Sequence, residues 1–366
     1  MNILHLDEQT GWRGGEQQAS WLIEASVRKG HRLWIAGRPE SRFLKAEHGG
    51  VELTRLALPF WAEADIYTAW KLAQVVYENE IEVIHAHTSH THAIACLTRK
   101  FAQRGAVVVS RRVSFPPKQD PLNRWKYAAP DVFIAVSEKV AEVLLESGVP
   151  PEKVRCVHSA VDVARLAVEP AAREDLGVPP GAPLLLSAGA LVGHKDHATL
   201  VSAVALVRES VPNVHLLIAG EGALRAPLEA QIAALGLGEA ITLLGHREDV
   251  PALMRAADCY VSSSWSEGLG TSVLEALACE TPVAAAEAGG ISEMVLPGKT
   301  GYLVANRDPE ALAGAIVAAL GSPEKAAKMA GAGRKLVERE FTVEAMAEGT
   351  LAIYVATVAQ VKGISI

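Results

Sequence analysis

Two doubly wound α/β domains in tandem are the architecture this sequence predicts, and three observations predict it. Short apolar runs alternate with amphipathic segments along the first half of the chain, the same alternation repeats in the second half, and a stretch rich in proline, alanine and charge, residues 168–183, separates the two series. Alternation of this kind implies parallel strands joined by crossover helices, and a break without sustained period reads as a linker and hinge. With 366 residues, 49% of them hydrophobic, the chain is long enough for two cores.

In order, the first half offers strand-like runs at residues 3–6, 33–36, 83–85, 107–109 and 132–136, separated by helical patterns such as 16–29, 64–78 and 137–147. The second half offers strands at 184–188, 214–219, 241–244, 259–261 and 283–285. A last amphipathic helix, residues 344–361, follows once the second series is complete. The expected division is a first domain over residues 1–167, a second over 168–343, and a tail, 344–366.

Composition excludes several classes. No apolar run approaches the roughly 18 to 20 residues of a membrane span, and Met1 leads at once into a strand-like run, which leaves no room for a signal peptide. Cys96, Cys156, Cys259 and Cys279 form no C-x-x-C pair and lie in apolar contexts, as reduced thiols of a cytosolic protein do. A net charge of −7 argues against general nucleic-acid binding.

The chain is organised around residues 262–295. An apolar strand leads into a polar loop holding Gly268 and Gly270, and a helical segment follows from Thr271. Glycine admits close backbone approach, and a helix N-terminus favours an anion, so Gly268, Leu269, Gly270 and Thr271 form a candidate phosphate seat. Glu267 and Glu275 bracket it. Carboxylates there suit hydroxyl groups rather than the anion itself, and a ligand with hydroxyls at both ends and phosphates between them is a nucleotide sugar. Ser272 to Glu275 also fits a capping box, in which Glu275 serves only its own helix. A second strand, then Ala288, Gly289 and Gly290, places another glycine loop at a neighbouring strand end.

Glu267 and Glu275 with seven residues between them, Ala276-Leu277-Ala278, Thr281-Pro282-Val283, Gly289-Gly290 and Glu293 together resemble the signature of the retaining glycosyltransferases of family 4. The resemblance covers nearly the whole chain. It implies the glycosyltransferase B architecture: two Rossmann-like domains facing each other across a cleft, acceptor on the first, nucleotide-sugar donor on the second, and the tail helix packed back on the first. It implies a metal-independent, retaining hexosyltransferase with no cofactor beyond the donor substrate. Glu275 would accept from the ribose and Glu267 from the donor sugar, with Lys195, the glycine loop, Gly14 and Gly15 around the diphosphate and Arg247 near the base. The family usually pairs Lys195 with an arginine where this chain has Ala190, so a cation is missing or comes from Arg225, Arg247 or His194. No Asp-x-Asp is present to anchor a metal instead.

Two stretches of the first half bear on the acceptor. His85, His87, His90 and His92 crowd one strand end and invite a metal reading, but no carboxylate or thiolate adjoins them in sequence; His87 is instead a candidate cleft residue. From Leu97 to Tyr127, Arg99, Lys100, Arg104, Arg111, Arg112, Lys118, Arg124 and Lys126 meet one acid, Asp120, among interleaved aromatics. Arg111 and Arg112 leave a strand and point to the acceptor side; the family usually has a histidine where Arg111 stands. Basic residues with aromatic neighbours suit an acidic acceptor or peripheral contact with an anionic membrane. The expected function is sugar transfer to a glycan or lipid-linked acceptor of the cell envelope, such as a polysaccharide or lipopolysaccharide, at the inner face of the cytoplasmic membrane. A nucleotide-sugar epimerase on the same fold and a donor-binding protein weakened by Ala190 are the alternatives.

Overall fold

The computed structural model describes residues 1–118 and 120–364; the end of the expected tail, Ser365 and Ile366, lies outside the described residues. The chain forms two compact units, one of Met1–Ala160 with Val343–Ile366 and one of Val161–Thr342.

Unit 1 runs β1 (Asn2–Leu6), α1 (Gly14–Arg28), β2 (Arg32–Gly37), α2 (Arg42–Lys45), β3 (Thr54–Ala57), α3 (Ile66–Glu78), β4 (Val83–Ala86), α4 (Ser89–Ala102), β5 (Ala106–Arg111), α5 (Pro121–Ala128), β6 (Val132–Ala135), α6 (Glu138–Glu146) and β7 (Val154–Cys156). Its seven strands lie in the order β3-β2-β1-β4-β5-β6-β7, every pair parallel. The order reverses between β1 and β4, which makes the carboxyl ends of those strands the topological switch point where ligands of such sheets bind.

Unit 2 runs β8 (Leu184–Ala188), α7 (His197–Ser210), β9 (His215–Ala219), α8 (Arg225–Ala234), β10 (Ile241–Gly245), α9 (Val250–Ala256), β11 (Cys259–Ser262), α10 (Thr271–Ala278), β12 (Val283–Ala286), α11 (Ile291–Met294), β13 (Tyr302–Val304), α12 (Pro309–Gly321) and α13 (Pro323–Glu340). Its six strands are ordered β10-β9-β8-β11-β12-β13, with the reversal between β8 and β11. Residues 168–183 belong to this unit: Val178 and Ala182 are buried, and Arg173 reaches the Ala256 carbonyl and Asp258.

Finally, α14 (Val343–Lys362) returns to unit 1, where it packs on α1 and β5 and buries Tyr354 completely. The Tyr354 hydroxyl meets His85 Nδ1 on β4.

Apolar periodicity missed three strands, and all three are edges: β3, β7 and β13. An edge strand need not bury both faces, so β3, Thr-Arg-Leu-Ala with no fully buried residue, shows no apolar run.

Candidate active site

In unit 2 the loop after β11 meets the turn after β8. Lys195 Nζ lies 2.6 Å from Glu267 Oε1, which also accepts from the Ser264 hydroxyl at 2.7 Å. Three further hydrogen bonds hold the turn and the loop together: Ser263 Oγ donates to the Lys195 carbonyl, and Trp265 reaches back with its indole N–H to the Gly193 carbonyl and its backbone N–H to that of His194. Trp265 was not among the residues expected at the site. A tryptophan in a polar loop carries no spacing signal, and only the fold shows what it touches.

The glycines of this loop are there for space. Gly270 caps α10 in the left-handed region (φ +95°), and a Cβ on it would fall 2.9 Å from Ile291. The second glycine loop lies against the first: Gly290 N donates to the Gly268 carbonyl, and a Cβ on Gly289 would fall 1.9 Å from the Glu267 carbonyl. Leu269 turns its side chain into the core, so it offers a ligand only its backbone. The N-terminal turn of α10, beginning at Thr271, thus stands free of side-chain caps.

That last point removes the capping reading of Glu275. In a Ser-x-x-Glu box Ser272 would be the N-cap; here Gly270 is, and the Ser272 hydroxyl bonds to Tyr260 instead. Glu275 sits in the second turn, half-buried, with no hydrogen bond from its carboxyl to any described residue, and burial pushes its pKa up to about 7. A desolvated carboxyl without donors has unused capacity to accept hydrogen bonds.

Of the three groups expected to stand in for the missing arginine, the two arginines are already engaged. Arg225 pairs with Glu221 and Glu229, and Arg247 is held in a two-point pair by Asp249 at 2.8 and 2.6 Å. Ala190 itself is exposed. Lys195 and the neighbouring His194 are what this strand end presents.

In unit 1, Gly15, His87, Arg111 and Arg112 line one cavity of about 360 Å³, at the carboxyl ends of β4 and β5. Gly14 opens α1, and the bare face of Gly15 lies against Arg112, whose Cδ would be 3.6 Å from a Cβ there. Glu16 closes the helix start by accepting from Arg13 N at 2.7 Å. Arg111 donates to the Tyr127 hydroxyl and the Phe115 carbonyl and stacks near both rings. Burial lowers the pKa of Arg112 to about 10, against the attraction of Asp7 and Glu16. Asp7 is pushed up to about 8 by burial and by Glu16.

Strand pairing completes the histidine cluster in a way sequence order concealed. His5 on β1 stands in register with His85 on β4, and His5, His85 and His87 bring ring nitrogens within 4.8 Å of one another. Burial drives all three imidazoles below their usual pKa, His5 to about 3, so they are neutral and could ligate a metal. The nearby Arg112 guanidinium opposes a dication there. His90 lies apart on α4, beside Glu8, a carboxylate that linear order did not place near it.

The basic stretch is also less basic than it reads. Arg99 binds Asp131, Arg104 faces Glu80, and the buried Lys126 is held by Glu63 and Ser89. Long-range contacts supply acids that a count along the chain could not include.

Two family models match the chain. Residues 168–336 match the family model of the glycosyl transferases group 1, and residues 12–165 that of glycosyltransferase family 4. The putative glycosyltransferase EpsD of Bacillus subtilis is 29% identical over 305 residues, 76% of this chain and 78% of EpsD. A D-inositol 3-phosphate glycosyltransferase from Segniliparus rotundus is 30% identical over 303 residues, 78% of this chain and 64% of its own length. The crystal structure of Anabaena Alr3699/HepE in complex with UDP superposes with a TM-score of 0.85 at 22% identity, over 97% of this chain and 100% of that one, which establishes the shared fold.

Proposed function

This chain belongs to the group 1 glycosyltransferases, and from that premise we propose that it moves a hexose from a nucleotide sugar to a glycan or lipid-linked acceptor of the cell envelope, with retention and without a metal. The observation that carries this reading is the pairing of Lys195 with Glu267 beside the uncapped start of α10, one helical step from the unpartnered Glu275. Arrival of the donor exchanges partners: Lys195 turns from Glu267 to the diphosphate, and Glu267 is released to accept hydroxyls of the sugar. Backbone N–H groups at Gly270 and Thr271 stabilise charge on the leaving phosphate, and Glu275 accepts from the ribose. Losing one such transition-state donor typically costs about 3 to 4 kcal/mol. Retention follows when the leaving phosphate takes the acceptor's proton on the face it departs from.

UDP is the first nucleotide to test, because the Anabaena neighbour binds it. Peripheral membrane contact is supported by α3, whose outward face carries Tyr67, Trp70 and Tyr77 with Lys71 close to the Trp70 ring. No helix among the described residues is long and apolar enough to cross a membrane.

The deciding measurement is release of UDP from UDP-glucose with and without a pool of envelope glycans. Acceptor-dependent release that falls at least a hundredfold in Glu267→Ala, unaffected by EDTA, is the expected result. Interconversion of the sugar without an acceptor would indicate an epimerase instead, and UDP binding without turnover a donor-binding protein.

A further inference from the structure

Lys195 is carried by a turn too short to hold itself. Gly193–Lys195 form a single 3-10 turn, closed by Asp196 in the left-handed region (φ +51°), and one isolated turn gains too few hydrogen bonds to offset the order it needs. Its three successive carbonyls, of Gly193, His194 and Lys195, each accept from the loop after β11: from the Trp265 indole, the Trp265 backbone N–H and the Ser263 hydroxyl in turn, each at 3.0 Å. The turn is therefore placed by the same loop that carries Glu267.

Trp265 supplies two of those three bonds and is itself 40% exposed, so its ring does not serve the core. Arg307, from the loop after β13, covers the ring with its guanidinium carbon 4.6 Å from the centroid, a contact that favours one orientation of an exposed aromatic. The Lys195 stem is held as well: a Cβ on Gly189, just past β8, would fall 3.3 Å from Lys195 Cε, so the bare glycine gives the stem its bed. Placement on this scale matters, because an error of about 1 Å at a reacting group can cost about a hundredfold in rate.

We propose that Trp265 is a positioning residue of the transfer reaction. It holds the 193–195 turn against the loop of Glu267, so that the Lys195 ammonium passes from Glu267 to the donor diphosphate by rotation of its side chain alone, with the backbone fixed. Trp265 acts through Lys195 and touches no part of the donor itself. This role presupposes that Lys195 is the cation of the diphosphate, as proposed above.

The test is a double-mutant cycle on UDP affinity, by calorimetric titration of the full chain with Lys195→Ala, Trp265→Ala and the two combined. Lys195→Ala should weaken UDP about tenfold or more and Trp265→Ala about fivefold or more, as loss or misplacement of a charge-assisted bond to phosphate does. The combined variant should bind as Lys195→Ala does, within about twofold, because a residue that works through the ammonium has nothing left to position once it is gone. Trp265→Phe, which keeps the ring under Arg307 and loses the indole N–H, should fall between wild type and Trp265→Ala. Additive losses would mean that Trp265 meets the ligand itself, and wild-type affinity in Trp265→Ala would mean that it positions nothing; either overturns the role. If UDP fails to bind, or binds Lys195→Ala as it does wild type, the donor reading fails instead. Hydrogen–deuterium exchange of residues 190–200 then decides the placement: faster exchange in Trp265→Ala but not in Lys195→Ala is expected, and equal exchange in Trp265→Ala and wild type would show that the turn stands without Trp265.

Discussion

Glu275, the proposed acceptor of the ribose hydroxyls, is held at the expense of the empty fold. Its carboxyl pKa, raised from 4.5 to about 7 by burial, means that the folded chain holds a proton that the unfolded chain has released between those values. The stability this gives is present below about pH 4.5 and is lost as pH rises through about 7. Donor hydroxyls favour the carboxylate, so nucleotide affinity runs the other way and grows as pH rises. Glu275→Gln should therefore raise the melting temperature relative to wild type at pH 8 but not at pH 4.5. It should weaken UDP binding about tenfold or more at pH 8, as loss of a charge-assisted hydrogen bond of about 1.5–3 kcal/mol does. Melting curves and UDP titrations across pH 5 to 8 check both slopes; a variant that binds UDP as wild type does at pH 8 would remove Glu275 from the donor site.

At the scale of elements, α3 is the one whose outer face contradicts its position. The buried side, Thr68, Ala69, Leu72, Ala73 and Val76, packs on α4, while Tyr67, Trp70 and Tyr77 repeat at helical spacing toward solvent. Trp61 stacks on Tyr67 and extends the same patch. Tryptophan and tyrosine are residues that partition to the membrane interface, and burial of their apolar area there would give the helix the partner proposed above. Replacement of Tyr67 and Trp70 by serine should abolish co-sedimentation with vesicles containing anionic lipid and leave the melting temperature unchanged, since neither ring serves the core. Retained co-sedimentation would assign any membrane contact to another face. The elements themselves were readable in proportion to their burial. Central strands such as β4 and β8 are continuous apolar runs; the edges β3, β7 and β13 are short and partly wet, so periodicity had nothing to register.

For the whole molecule, the return of α14 makes unit 1 depend on the far end of the chain. Val343, Met346, Leu351 and Tyr354 are all buried, and burying a large apolar side chain contributes about 1.5–3 kcal/mol. Their sum is comparable to the about 5–15 kcal/mol that holds a whole domain. A chain ending at Thr342 should lose the calorimetric transition of unit 1 while unit 2 melts as before; two intact transitions would show that the helix is dispensable. By itself the sequence determined the fold class, the two parallel sheets, and the glycine loop between Glu267 and Glu275, because all of these rest on local period and local spacing. Tertiary structure alone decided that Glu275 does not cap its helix, that Arg225 and Arg247 are already paired, that His5 joins His85 and His87, and that Asp131, Glu80 and Glu63 quiet the basic stretch. Each of those depends on which distant side chain stands within a few ångströms, and parallel pairing brings together residues tens of positions apart without leaving a trace in the order of the chain.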